Sequence, residues 1–334
     1  MRPQREPALS PDTMTPPRSK ARFRRGEAID RAQDPPTMLP MRSRSVPSKN
    51  ASIPCSAEEL MKGNQTIQNL FGSLVEQFRG DWTSTKEGQQ DKLETFNDFQ
   101  QRAKWNSSKA QSLGFFTIGK LPTEISLSHL KGFLDAYFSS PGIFLDDQGV
   151  DSVPRAAWRS ILCYVRQANA NLILEHNLKP LKTPNAGKCW GIVAITHEDL
   201  FCNSDDDLDY VYGASLEGEP GLPGIAVVST RRVWQPDAVG LELSRLRLLK
   251  LLAHEIGHLY FLTHCLTHAC VMNGVETLDQ IDRHPLGVCP DCMMKLCWTS
   301  RTRPKDRYSR LRKICANLKL KTEVNQYTQC VARL

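Results

Sequence analysis

The sequence predicts a domain of mixed helices and strands, α+β or α/β, that ends in a compact cysteine-rich segment. Three observations predict this class. Helix-like and strand-like apolar patterns are mixed from Ser112 onward, one long helical pattern covers Leu241–Tyr260, and four cysteines follow that helix closely. A chain of 334 residues with 40% hydrophobic residues is long enough to bury a sizeable core.

The first 111 residues precede this domain and divide into two parts. Residues 1–55 are rich in proline and carry eleven Lys and Arg against five Asp and Glu. This composition predicts a disordered basic tail. The alternative is a nuclear or organelle targeting signal. Residues 56–111 are predicted to be a helical and polar extension. In it Ser56 and Glu59 resemble a capping box that begins a helix over 56–80.

The domain itself is predicted over residues 112–299, and the spacing of apolar residues predicts its elements. Cys189–Thr196 and Gly224–Ser229 are continuous apolar runs, which are typical of buried strands. Ala156–Leu174 has the periodicity of a helix. Further predicted elements are a strand at Phe115–Ile118, a helix over Ser126–Phe138, a strand edge at Gly142–Leu145, and a C-terminal basic helix and tail over residues 300–334.

Charge and cysteine usage exclude several classes of protein. The net charge of +7 comes almost entirely from the N-terminal tail, so the sequence does not indicate a nucleic-acid binder. The N-terminus lacks the apolar stretch of a signal peptide, and no apolar run is long enough to span a bilayer. We therefore expect an intracellular protein, cytoplasmic or alternatively nuclear, with reduced cysteines and no membrane partner.

Three histidines and a glutamate indicate a catalytic metal site. His254, Glu255 and His258 form H-E-x-x-H, and His264 follows six residues later. On a helix, residues four apart point to one side, so both imidazoles can bind one ion. A third nitrogen ligand leaves the fourth zinc position open, and Glu255 is placed to act as general base. This chemistry is that of peptide-bond hydrolysis.

The turn before His264 raises a question, because on an unbroken helix His264 would face the wrong side. The chain must turn back after His258, and glycine is the residue that suits such a turn. Here the position is held by Phe261. Three outcomes stay open: a turn made differently, a displaced third ligand, or weak zinc binding. Met272 and the turn signal after it are candidates for a supporting turn beneath the metal.

Four thiols indicate a second, structural zinc site. Cys265, Cys270, Cys289 and Cys292 have the number, type and spacing of a closed tetrahedral site. Since this segment has few apolar residues, a metal ion would close it. Cys297 and His268 lie near enough in sequence to substitute as ligands.

The sequence from His254 to Cys292 resembles the archaemetzincin signature, H-E-x-x-H-x-x-G-x-x-H-C-x4-C-x-M followed by C-x-x-C. The match includes the adjacent His264–Cys265 pair and Met272 two residues after Cys270. Phe261 departs from the pattern, because it stands at the glycine position.

The resemblance implies an α+β, metzincin-like zincin domain with a mixed, mostly parallel sheet, a long active-site helix and a four-cysteine zinc subsite. It also implies two zinc ions. One is catalytic, at His254, His258 and His264, and one is structural. It implies Glu255 as base and Met272 in a Met-turn.

The same resemblance implies a peptidase, with aminopeptidase action on short peptides as one form. We further expect a monomer whose peptide substrate pairs with Gly224–Ser229 as an edge strand. The alternative hypothesis is a zinc-stabilised binding protein, catalytically impaired by Phe261.

Overall fold

A computed structural model describes residues 24–25, 91–103, 112–161, 165–178, 186–202, 210–219 and 222–334. Apart from Arg24 and Arg25, the predicted tail over residues 1–55 lies outside these ranges. The predicted helix over 56–80 lies outside them as well. Within the described residues no helix is both long and apolar enough to cross a bilayer.

The described residues form nine strands in two sheets. The main sheet has the order β1-β8-β9-β6-β2-β3 and is parallel except between β8 and β9, which confirms the mixed, mostly parallel sheet. A small sheet has the order β4-β5-β7. In chain order the strands are β1 (Arg24–Arg25), β2 (Ser112–Ile118), β3 (Gly142–Phe144), β4 (Trp158–Ile161), β5 (Val165–Asn169), β6 (Cys189–Thr196), β7 (Asp199–Phe201), β8 (Gly213–Leu216) and β9 (Gly224–Ser229).

Both faces of the main sheet are buried, which explains its continuous apolar strands. Successive side chains of a strand point to opposite faces. In β6, Val193 and Ile195 pack on the helical side, whereas Ile192 and Ala194 pack on the side of the small sheet. Strands covered on both faces do not alternate between apolar and polar residues.

The described residues form nine α-helices, of which the central one confirms the predicted long helix. In chain order they are α1 (Phe96–Arg102), α2 (Leu127–Phe138), α3 (Ala170–Ile173), α4 (Pro236–Val239), α5 (Leu241–Leu259), α6 (Leu278–Arg283), α7 (Pro290–Ser300), α8 (Pro304–Asn317) and α9 (Lys321–Arg333). Helix α5 packs with α2 and the inner face of the sheet in one core.

The predicted helix over Ala156–Leu174 is wrong over most of its length. The segment forms the antiparallel pair β4–β5 and only then the short helix α3. The reason is a long-range contact that local periodicity cannot show: β5 pairs with β7, and buried Gln167 donates a 2.8 Å hydrogen bond to Asp199. Arg232 also binds that carboxylate with two hydrogen bonds.

The interpretation of Gly224–Ser229 as an edge strand is also wrong. This strand, β9, lies between β6 and β8, so both sides of its backbone are already paired. Strand β8 (Gly213–Leu216) is not among the predicted strands, because four residues are too short to show a strand pattern. It lies on the other side of β9 from β6, and of the described residues only Arg24 and Arg25, in β1, pair with its far side.

The C-terminal region forms two helices, α8 and α9, that pack into the same core. Arg307 is 1% exposed and donates a 2.7 Å hydrogen bond from Nε to the Tyr137 carbonyl of α2. Tyr308 and Tyr327 are each 1% exposed. The boundary at residue 299 stays a prediction, while the packing joins the last two helices to the rest of the domain.

Candidate metal centre

Helix α5 and the turn after it bring the three predicted histidines together. His254 and His258 lie one helical turn apart, with their Nε2 atoms 3.0 Å apart. One ring nitrogen from each of His254, His258 and His264 lies within 4.8 Å of the others. All three side chains are buried. The third histidine is therefore not displaced.

The turn that presents His264 is made by Phe261 itself. Phe261 adopts φ +65°, the left-handed conformation that the signature assigns to glycine. Its N–H donates to the His258 carbonyl at 2.9 Å, and the N–H of Leu262 donates to the Gly257 carbonyl at 3.1 Å. This pair of hydrogen bonds is the Schellman arrangement, which ends a helix and turns the chain away from its axis.

The cost of this conformation is offset by burial. A left-handed non-glycine residue costs about 1–2 kcal/mol. Phe261 is 2% exposed and belongs to the main core, and burying a phenylalanine contributes roughly 1.5–3 kcal/mol. Burial therefore equals or exceeds the strain, and the turn does not require glycine.

The hydrogen bonds of the three rings orient their other nitrogens toward one point. Nδ1 of His254 lies 2.8 Å from the Val271 carbonyl, and Nδ1 of His258 lies 2.7 Å from the Leu262 carbonyl. Nδ1 of His264 lies 2.9 Å from a carboxylate oxygen of Asp91. Each Nδ1 is thus the protonated donor, and each Nε2 carries a lone pair.

This arrangement fits a zinc ion. Two lone pairs facing each other at 3.0 Å repel unless a proton or a cation lies between them. Two nitrogen ligands on tetrahedral zinc are about 3.3 Å apart, close to the distance found. Burial, together with His258 and His264, holds the pKa of His254 well below its usual value. The ring is therefore in the neutral form that binds metals.

Glu255 lies beside the histidines and is fully enclosed. Burial raises the pKa of Glu255 to about 8, and the nearby Ser215 hydroxyl offsets part of this rise. Oε2 of Glu255 is buried and makes no hydrogen bond with the described residues. Strand β8 approaches closely at Gly213, where a β-carbon would lie 2.8 Å from Oε1 of Glu255. A cation at the histidines would favour the ionised carboxylate.

Met272 packs against the histidine-bearing helix at Gly257. It is fully buried, and a β-carbon on Gly257 would overlap its sulfur. The backbone on either side is also fixed. The Met272 carbonyl accepts a 2.8 Å hydrogen bond from Cys265 N–H, and the preceding Val271 carbonyl orients His254.

The four predicted cysteines form a second buried cluster. One sulfur from each of Cys265, Cys270, Cys289 and Cys292 lies within 4.8 Å of the others. The Cys265 and Cys289 sulfurs are 3.7 Å apart, near the roughly 3.8 Å expected for two thiolates on tetrahedral zinc. Hydrogen bonds led by that from Cys270 hold the pKa of Cys265 well below its usual value. Burial holds the pKa of Cys289, and hydrogen bonding with Cys265 holds the pKa of Cys292, well above their usual values. Without a cation the cluster therefore favours the thiolate at Cys265 but not at Cys289 or Cys292, and a bound metal ion would favour the thiolate form at these positions.

The two proposed substitute ligands stand outside both clusters. Cys297 lies on α7 with its sulfur 3.6 Å from that of Met293. His268 contacts the Thr267 hydroxyl at 2.8 Å, and hydrogen bonding, first with Cys265 and then with Cys289, raises its pKa to about 10. Contact with Cys265 therefore favours the cationic form of His268.

Sequence reasoning missed Asp91, which contacts His264 from 173 residues away. An acidic residue in a polar stretch carries no local sign of such a contact. The only indirect signal was the departure at Phe261, which implied that something beyond the signature supports the turn.

Comparison with known proteins places these features in one family. The profile of peptidase family M54 matches residues 163–297. Archaemetzincin-2 from Rattus norvegicus is 30% identical over 290 residues, which cover 75% of this chain and 78% of that protein. Archaemetzincin from Pyrococcus furiosus is 27% identical over 184 residues, which cover 54% of this chain and 88% of that protein.

Solved structures give a similar match. The crystal structure of an archaemetzincin from Archaeoglobus fulgidus, complexed with malonate, is 26% identical with a TM-score of 0.42. It covers 55% of this chain and 99% of that one.

Proposed function

Since this chain belongs to peptidase family M54, the archaemetzincin zinc metallopeptidases, we propose that its three-histidine centre hydrolyses peptide bonds with Glu255 as general base. The observation that carries the proposal is the convergence of His254, His258 and His264 around one point beside a buried carboxylate. Phe261 occupies the left-handed turn without displacing His264, which supports a competent site over an impaired one.

The residues of the chain divide the chemistry among them. The three histidines would hold zinc, which when bound supplies Lewis-acid polarisation of the peptide carbonyl and of water. Glu255, as a carboxylate, takes a proton from the attacking water and returns it to the leaving amine. Glu255 is 1% exposed, so its carboxylate is shielded from bulk water. Met272 supports the helix that carries two of the ligands.

The substrate peptide is proposed to pair with β8 rather than with β9. β8 passes directly over Glu255 at Gly213, and it is the strand outside β9. Arg24 and Arg25 pair in parallel with Ala214 and Ser215 on the side of β8 that faces away from β9. This pairing supports the proposal that this side can bind an extended peptide. Backbone pairing of this kind aligns a peptide without regard to its sequence.

The decisive experiment is the substitution Glu255→Gln, measured with a library of short peptides. We expect the variant to keep its metal and to lose at least about 10²–10⁴-fold in kcat/KM, the contribution of a general base. Equal cleavage by variant and wild type would refute the assignment of Glu255.

Two zinc ions per chain are proposed, one at the histidines and one at the cysteines. The two clusters differ in the type of ligand that they offer, which supports two different roles. Three histidine nitrogens leave a fourth coordination position open, as in catalytic zinc sites, whereas four thiolates give the closed coordination of a structural zinc site. Elemental analysis of the purified chain should give two zinc ions. A chelator should remove the histidine-bound ion first, and activity should fall with it.

For the substrate class we propose aminopeptidase-like action on short peptides, by a monomer in a reducing intracellular compartment. The resemblance to the family supports the first part, and the four clustered thiols support the compartment, since thiolate ligands require reducing conditions. Comparing free and acetylated peptides tests the specificity. Equal rates on both would exclude recognition of the amino terminus.

A further inference from the structure

The segment Asp91–Ala103, which we call the brace, contacts the turn between the two metal clusters. It lies outside the family match at residues 163–297, and the H-E-x-x-H signature does not include it. It consists of five extended residues followed by helix α1, which begins with a capping box between Thr95 and Asp98. Its position raises the question of what it contributes to the centre.

The first contact is between Asp91 and the third histidine. Oδ2 of Asp91 lies 2.9 Å from Nδ1 of His264, while Nδ1 of each of the other two histidines lies against a backbone carbonyl. His264 is therefore the one ligand whose orienting partner is a charged side chain. A carboxylate fixes the ring orientation and makes Nε2 more basic than a carbonyl does.

The second contact is between Arg102 and the turn. Its Nη2 donates to the Phe261 carbonyl, and its Cζ lies 6.0 Å from the centre of the Phe261 ring. Nη1 of the same guanidinium binds Glu217, just after β8, at 2.9 Å, and Nε binds Glu94 at 2.9 Å. Arg102 thus holds the left-handed residue that sets the direction of the chain toward His264.

The brace is itself anchored in the core, so it can act as a fixed support. Phe99 is fully buried, and its ring centre lies 5.9 Å from that of Trp298 on α7. Lys295 of α7 binds the Glu94 carboxylate at 2.9 Å. Cys289 is the N-cap residue of α7, so the brace is connected to the cysteine cluster as well.

From these contacts we infer that the brace positions the third metal ligand, with Asp91 as the positioning residue for His264 and Arg102 as the support of the Phe261 turn. The inference rests on the proposed function, since it concerns the same histidine centre. The physical reason is that His264 lies beyond the end of α5. Its orientation therefore depends on contacts from outside the helix.

The test is the zinc affinity of the full chain carrying Asp91→Ala or the nearly isosteric Asp91→Asn. Competition with a chromophoric chelator should show a histidine-site affinity reduced about 10–100-fold for Asp91→Ala, and less for Asp91→Asn. The cysteine-bound zinc should be unchanged. With cobalt(II) in place of zinc, the absorption bands of the histidine centre should shift while those of the thiolate centre stay.

The control is Asp279→Ala, which removes a carboxylate from an exposed 3.0 Å ion pair with Arg283 and should leave both affinities unchanged. If wild type binds two ions and both Asp91 variants keep wild-type affinity, Asp91 does not position His264, the inference fails and the proposed function stands. If wild type binds zinc only at the cysteines, both proposals fall together. If Asp91→Ala does not fold, the zinc affinity of Asp91→Asn decides the test, because asparagine has nearly the same shape as aspartate.

Discussion

At the scale of the residue, Phe261 shows how one side chain can replace a glycine without loss of the turn. Its backbone is left-handed, as the signature demands, and its ring is buried in the main core. The sequence suggested a defect because a β-carbon is disfavoured at positive φ. The structure shows that the same β-carbon carries a ring whose burial offsets the strain.

Substituting Phe261→Gly should therefore destabilise the chain rather than repair it. Truncating a buried phenylalanine costs about 3–5 kcal/mol, and relief of the left-handed backbone returns about 1–2 kcal/mol. The expected net loss is roughly 2 kcal/mol, seen as a lower urea midpoint, with weaker zinc binding at the histidines.

Lys319→Gly is the matched control, because Lys319 has φ +63° and an exposed side chain. Only strain is relieved there, so this variant should be more stable by about 1 kcal/mol. A Phe261→Gly variant that gains stability as Lys319→Gly does would contradict the role given to the ring.

At the scale of the element, the long helix and the turn at Met272 work as one unit. Gly257 allows the Met272 sulfur to lie against the helix one residue before His258. A glycine inside a helix ordinarily costs about 1 kcal/mol relative to alanine. Its presence at this position is explained by the close approach of Met272.

Replacing Gly257 with alanine should lower both stability and zinc affinity. The new β-carbon would overlap the Met272 sulfur and lie 3.1 Å from its terminal carbon, so the turn or the helix must shift. We expect a loss of about 1–3 kcal/mol, the usual effect of overpacking. Thermal unfolding with and without zinc measures it.

A second helical glycine gives the comparison. At Gly132 in α2 a β-carbon would meet Ile314 at 3.4 Å, an ordinary contact. Gly132→Ala should leave stability unchanged or raise it by up to about 1 kcal/mol. Equal behaviour of the two variants would show that the Met272 contact is unimportant.

At the scale of the whole molecule, the cysteine cluster and the last two helices complete a core that the sheet and α5 begin. The chain from Cys265 to Cys292 crosses beneath the histidines and leads into α7. Helices α8 and α9 then add Tyr308, Leu311 and Tyr327 to the main core. The metal centre is thus enclosed by segments on both sides of the signature.

Loss of one cysteine ligand should prevent folding. Zinc binding by thiolate sites contributes about 10–16 kcal/mol in small peptides, which matches or exceeds a typical net stability of about 5–15 kcal/mol. Cys289→Ser should therefore give a chain with no cysteine-bound zinc and no cooperative unfolding transition by circular dichroism.

The control is Cys297→Ser, which changes an equally buried cysteine on the same helix outside the cluster. It should retain two zinc ions and lose about 1–3 kcal/mol from burial of a hydroxyl. Loss of zinc in this variant would restore Cys297 as a candidate ligand.

Truncation after Ser300 should also unfold the protein. Five large side chains of the last two helices and the turn between them, at Tyr308, Leu311, Leu318, Leu320 and Tyr327, are at most 4% exposed. Each contributes about 2 kcal/mol by burial, so their sum is of the order of the total stability. Substituting serine for Ala332 and Arg333, two exposed residues near the end of α9, should have little effect on the melting temperature. A truncated chain that melts like the full one would show that residues 300–334 form a separate unit.

The sequence by itself determined the two candidate ligand clusters, because their chemistry depends on residue type and on spacings within one helix and one short loop. His254, Glu255 and His258 share a helix, and the four cysteines lie within 28 residues, so short spacings were enough to group them. The buried strands at Cys189–Thr196 and Gly224–Ser229 also follow from composition alone.

Only the tertiary structure decided what depends on residues far apart in the chain. It made a hairpin of most of Ala156–Leu174, because β5 pairs with β7, and it placed β8 outside Gly224–Ser229. It also brought Asp91 and Arg102 to the turn at Phe261. Such contacts produce no periodic pattern in the sequence. The intrinsic preferences of a short segment for one local conformation over another amount to only about 1 kcal/mol, so packing against distant segments decides which conformation forms.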